Sequence, residues 1–155
     1  MHIPFYSLRK GKRKPDDRNI LGTSLREVFQ LPLDEYCNPS NQETEEYYYE
    51  AVASIGVIGI DEWVWTGYCC IDTYFGEENW REYLNSSPGE KDGNDGPSGG
   101  WIWQMRPLWN PREYFLVILH RRMIQATTEW TALITTFVGR LDVYVSESMI
   151  PCSSQ

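Results

Sequence analysis

Nucleophilic, redox or metal chemistry needs histidines, cysteines or clustered carboxylates at workable spacing, and this chain offers few of them. It has two histidines. His2 sits beside a basic stretch. His120 falls on an apolar stripe, where a packed or edge histidine is a plainer reading than a general base. Neither has a Gly-x-Ser-x-Gly or similar nucleophile context. The four cysteines are Cys37, Cys69, Cys70 and Cys152. Adjacent Cys69 and Cys70 do not readily bond each other, and no Cys-x-x-Cys spacing exists for zinc or redox work. Within an aromatic block they read as small apolar groups.

The carboxylates available to a divalent metal are Asp61, Glu62, Asp72, Glu77 and Glu78. Asp61 reads as a helix cap and Glu77 with Glu78 as a solvated turn. Asp72, next to Ile71 and two residues from Tyr74, reads as a buried bridge to Arg112 or a tyrosine hydroxyl. Asp92-Gly93-Asn94-Asp95-Gly96 fails the calcium-loop register, because position 6 is Pro97 and position 12 is Trp103. The glycines at 93, 96, 99 and 100 lack the strand and helix start of a phosphate-binding loop. No catalytic residue, cofactor or metal ligand follows from these patterns.

The elements that would position any site are set by composition. The chain has 155 residues, one domain by length, with 41% apolar and 14% aromatic residues. It is too aromatic to be disordered throughout. Formal charge is −8, yet Arg9, Lys10, Lys12, Arg13 and Lys14 give residues 1–14 a charge of +5, which leaves −13 on residues 15–155. So acidic a body repels phosphate backbones. Only the basic stretch offers contact with an anionic surface or an import receptor. No signal peptide is read at the start. The most apolar window, Thr131 to Val145, is interrupted by Arg140 and Asp142, so no transmembrane segment is expected. The expected location is cytoplasmic, with nuclear entry through the basic stretch as the alternative.

Along the chain, 1–22 reads as a flexible basic arm and 23–150 as one helix-rich domain with a flexible loop at 85–100. Ser24-Leu25-Arg26-Glu27 has the form of a capping box and predicts a short helix ending near Pro32. Val52, Ile55, Val57, Ile58 and Ile60 suit a buried strand, weakened by two glycines. Ile60, Val64, Tyr68, Ile71 and Phe75 recur at helical spacing, although Trp63, Trp65 and Gly67 also permit a strand; the helix is favoured. The strongest signal is Asn110-Pro111-Arg112-Glu113, an N-cap with Pro at N1 and Glu at N3. Two adjacent stripes follow. One runs through Leu116, Leu119, Met123, Ala126, Trp130, Leu133 and Phe137, the other through Val117, His120, Ile124, Thr127, Thr131, Ile134 and Val138. Together they predict a long amphipathic helix with one broad apolar face, packed on the aromatic block 63–80.

The blocks D-E-W-V-W-T-G-Y-C-C-I-D-T-Y-F (61–75) and P-L-W-N-P-R-E-Y-F-L-V-I-L-H-R-R-M-I-Q-A-T-T-E-W (107–130) resemble uncharacterised fungal proteins labelled CorA-like magnesium transporters. The resemblance covers about 50–145 and rests on aromatic and proline positions. It implies the cytosolic part that precedes a membrane-spanning C-terminus in longer members. The Gly-Met-Asn pore motif of such transporters is absent here, so transport does not carry over and no family site residue maps onto this sequence. The chain reads as a shortened member.

The fold expected is therefore mainly α, or α+β with a small sheet near 52–60. The function expected is non-enzymatic association through the long helix, either with itself or with a partner helix. A small enzyme or accessory protein of fungal metabolism, holding an apolar ligand in an aromatic pocket, is the alternative. Phe137, Leu141 and Tyr144, far along the helix where least chain remains to cover it, are the expected association surface.

Overall fold

The computed structural model describes residues 1–32, 45–75, 97 and 108–148, with side chains to 146 at that last end. The expected loop at 85–100 lies outside the described residues except for Pro97, as do Glu77, Glu78, Cys37 and Cys152. The described elements are β1 (His2–Lys10), β2 (Asn19–Ile20), β3 (Thr23–Ser24), β4 (Val28–Gln30), β5 (Glu46–Gly59), β6 (Trp65–Ile71) and one helix, α1 (Pro111–Ser148). The expectation of a mainly α chain is thus overturned. The protein is α+β, with antiparallel sheet the dominant component.

Three sequence signals mislead, each for a physical reason. The stretch read as a flexible arm contains β1, a neighbour of β5 in the sheet. Phe5 and Ser7 are buried at period two just before the charge run, whose first residues Arg9 and Lys10 pair with Glu129 and Glu46. Ser24 ends β3 and does not cap a helix, and Val28–Gln30 form β4 opposite three successive tyrosines. Residues 65–71 form a strand, because Trp65 and Cys69 pack inward at period two while the helical positions Val64 and Tyr68 are exposed. Tertiary pairing with β5 outweighs the local helical spacing.

The described residues group into two compact units, Met1–Phe5 with Ala51–Thr127 and Tyr6–Glu50 with Thr128–Gln155. The sequence alone predicts one domain over 23–150. β1, β5 and α1 contribute residues to both units.

In the first unit, β5 and β6 pair antiparallel from Ala53↔Ile71 to Gly59↔Trp65. The hairpin tip is held by Asp61, whose Oδ1 accepts from the backbone N–H of Trp63 and Val64 at 2.8 Å each. The Met1 amino group donates to the Ile55 carbonyl at 2.8 Å. Ile55, Tyr114 and Ile118 form the core of this unit, each buried apolar side chain contributing about 1.5–3 kcal/mol. A Cβ on Gly67 would come within 2.5 Å of the Tyr114 ring, so this strand position must be glycine for the helix to sit so close.

In the second unit, β4 pairs β5 antiparallel from Val28↔Tyr49 to Gln30↔Tyr47. Phe29 stacks on Tyr48 at 5.0 Å between ring centroids. β2 and β3 form a two-residue hairpin through Leu21 and Gly22, both at positive φ, the backbone that a tight hairpin turn demands. A buried ion pair ties α1 into this unit. Arg140 Nη2 donates to Glu46 Oε2 at 2.6 Å, and its Nη1 donates to the Pro32 carbonyl at 3.1 Å. Lys10 Nζ completes the cluster, 2.9 Å from Glu46 Oε1.

Burial alone would push the Glu46 carboxyl up, but hydrogen bonds and charges from Lys10 and Arg140 outweigh it and hold the carboxyl below its ordinary 4.5. A carboxyl depressed by folding contributes stability that is complete above its unfolded pKa and is lost as pH falls through the lower folded value. Thermal unfolding should therefore be insensitive to Glu46 from neutrality down to 4.5 and weaken below it. Glu46→Gln, followed by circular dichroism at neutral pH, should destabilise the protein by about 3–5 kcal/mol, because Arg140 is left buried without its counter-charge. A loss under about 1 kcal/mol would show that the pair does not anchor the helix.

Candidate functional site

The helix that carries the surface begins where the sequence places it. Asn110 Oδ1 accepts from the N–H of Arg112 at 2.9 Å and of Glu113 at 3.3 Å, satisfying two of the helix's orphan donors. Pro111 opens the helix and Glu113 lies in its first turn, where a negative charge suits the dipole. The helix then runs unbroken for 38 residues, about 57 Å. Gly139 and the β-branched run at 134–136 do not interrupt it.

Its covered face differs from the expected one. Tyr114, Ile118, Arg122, Ala126 and Arg140 are buried, with Glu129 and Leu133 half-buried between them. Three of those residues are charged, and each makes polar contacts within the chain. Arg122 donates to Gln125 Oε1 at 2.9 Å and to the Pro97 carbonyl at 2.8 Å. Glu129 accepts from the buried Ser7 hydroxyl at 3.0 Å and from Arg9 Nη2 at 3.1 Å. Arg140 meets Glu46 and the carbonyls already described. The expected single apolar face is therefore divided. Leu119, Ala126 and Leu133 turn inward, whereas Leu116, Met123, Trp130 and Phe137 are exposed. The signal that could have located the inward face is the string of charges at 122, 129 and 140, spaced by whole numbers of helical turns within a covered stripe.

The outward side of the distal helix is apolar. Phe137 is 38% exposed, Leu141 37% and Tyr144 40%, with Ile134 at 56% and Val138 at 49%. From 130 to 146 the one exposed charged residue is Asp142. Folded surfaces normally scatter charge among their apolar residues, and this strip departs from that rule.

The other chemical candidates do not assemble. His120 is exposed on α1. His2 Nδ1 lies 2.8 Å from Ser54 Oγ on the exposed side of the sheet. Cys69 packs against the first unit's core and Cys70 is exposed. Asp72 is buried as expected, but its Oδ2 accepts from the backbone N–H of Val52 at 3.0 Å. Asp61 holds a hairpin tip where a helix start was expected. Among the described residues no three His, Cys, Asp or Glu side chains come together as metal ligands. The first unit has an open groove of about 940 Å³ floored by Ile55, Val57, Trp65 and Phe115, with Asp61, Glu62 and Arg112 at its rim. Its polar walls are largely engaged within the chain: Trp65 Nε1 donates to the Trp109 carbonyl at 3.0 Å, and the Asn110 and Asp61 side chains cap backbone.

Fold and surface together define an α+β scaffold whose long helix is held by Tyr114 and Ile118 in the first unit and by Glu129 and Arg140 in the second, with apolar residues left exposed along it. No protein-family model, curated protein or solved structure matches the chain. No helix among the described residues is long and apolar enough to cross a membrane.

The capping geometry gives a direct check. Asn110→Ala should lower stability by about 1 kcal/mol in chemical denaturation, with Asn110→Asp close to wild type. Equal losses in both variants would mean that the side-chain oxygen is not the cap.

Proposed function

We propose that this chain is a non-enzymatic association module that works through the distal part of α1. The observation that carries this reading is the uncharged, exposed strip containing Phe137, Leu141 and Tyr144 on an otherwise acidic body. Copies of a chain with a charge of −8 repel one another. The distal helix is a surface where apolar contact is available without bringing carboxylates together. The resemblance of 61–75 and 107–130 to the soluble part of CorA-like membrane proteins fits a module of this kind. That family's transport activity is no part of the proposal, since the pore motif is missing.

The groove beside Trp65 favours a second reading, an accessory protein or small enzyme that holds an apolar ligand. Its openness and the internal engagement of its polar groups make it the weaker one. A ligand site normally aims a few convergent polar groups at its occupant.

Light scattering distinguishes the two. Wild-type protein should exceed the mass of one 18.1 kDa chain, and Phe137→Glu should reduce that mass while leaving the far-ultraviolet spectrum unchanged. The substitution places a charge on an exposed position, so the fold tolerates it. A wild-type protein that remains monomeric, with Phe137→Glu indistinguishable from it, would reject association and leave the groove as the functional surface.

A further inference from the structure

The exposed residues of α1 follow a stricter rule than amphipathicity. Leu116, Met123, Trp130, Phe137 and Tyr144 are spaced by seven, and all are exposed. His120, Thr127, Ile134 and Leu141 fall between them, alternating steps of four and three, and are also exposed. This is the a and d pattern of a coiled-coil seam, with the first set at d and the second at a. The flanking positions are unequal. At e, Ile124, Val138 and Val145 are exposed and apolar, whereas at g, Leu119, Ala126, Leu133 and Arg140 are covered by the chain's own packing.

We infer that the occupant of this seam is the same helix of a second copy, running antiparallel. The inference rests on the association reading above and adds the partner and its direction. Three features of the helix support it. In a parallel pair each e position meets g of the neighbour, and here g is already covered within its own chain. In an antiparallel pair e meets e, so the exposed e residues of both copies cover each other. The residue sizes then match. With Ile134 of one copy opposite Trp130 of the other, Thr127 falls opposite Phe137 and Leu141 opposite Met123. The Trp130 and Phe137 layers each combine a larger residue with a smaller one, and the Leu141–Met123 layer pairs two of similar size, so no layer sets bulk on bulk. A parallel pair would instead set Trp130 on Trp130 and Thr127 on Thr127. Finally, the seam brings no charge to the contact. The Thr127 hydroxyl already donates to the Met123 carbonyl at 2.8 Å, so it enters without an unmet donor.

The same register places Ile124 of one copy beside Val138 of the other at the e–e flank, twice per dimer. Within one chain these residues lie about 21 Å apart along the helix, too far to meet. A charge-swap test follows, read by sedimentation equilibrium with circular dichroism as the folding control. Ile124→Lys alone and Val138→Glu alone should each weaken dimerisation by about tenfold or more. The double variant should recover most of that loss, because each introduced lysine now faces an introduced glutamate of the other copy. Folded single variants that dissociate with no recovery in the double variant would overturn the antiparallel pairing and leave association itself standing. A wild-type monomer would overturn both, and single variants that dimerise as well as wild type would overturn the seam as the contact while association stands.

Discussion

The contact on which the arrangement of the helix depends is the buried ion pair between Arg140 and Glu46. A guanidinium removed from water is tolerated only where its donors are met and its charge is balanced. Here the Leu31 and Pro32 carbonyls take one arm and the Glu46 carboxylate the other. Such a pair adds little net stability over an apolar substitute. Its effect is directional. It fixes which side of the distal helix faces the sheet of its unit, and Glu129 with Ser7 and Arg9 repeats the device about three turns earlier.

That orientation has a consequence for packing. A helix normally turns its apolar stripe toward its own core and its charges toward water. In the second unit the charged residues are used inside, so apolar residues remain outside. Phe137, Leu141 and Tyr144 are exposed because the helical rotation that buries Arg140 leaves them there. In the first unit the rule is closer to normal, with Tyr114 and Ile118 packed on Ile55 and the Tyr114 ring lying against Gly67. Even so, Leu116 and Met123 stay exposed.

Local chemistry was legible in the sequence where a single short pattern decides the structure. Asn110, Pro111 and Glu113 are sufficient to start a helix, and they do. Val52, Ile55, Val57 and Ile58, β-branched residues in a short run, suit the strand that they form despite two glycines. Where long-range pairing decides, the reading failed. Nothing local in His2–Lys10 shows that β5 lies beside it, and a run of lysines and arginines hides the buried Phe5 and Ser7. The capping-box letters at Ser24 and Glu27 are present, but three tyrosines on β5 provide a stronger partner for Val28–Gln30. The apolar content of α1 was legible. Which of its two stripes faces outward was not, because that depends on where Glu46 sits, more than ninety residues from Arg140.

The central claim is that the apolar seam of α1 is partly exposed in the single chain and is fully covered when copies meet. Hydroxyl-radical footprinting of the wild-type protein over a dilution series, resolved by residue, tests it most directly. The account predicts that Phe137 and Leu141 react readily at high dilution and become protected as concentration rises, while Leu133 stays protected throughout. Phe137 and Leu141 protected at every dilution, or equally reactive at every concentration, would contradict it.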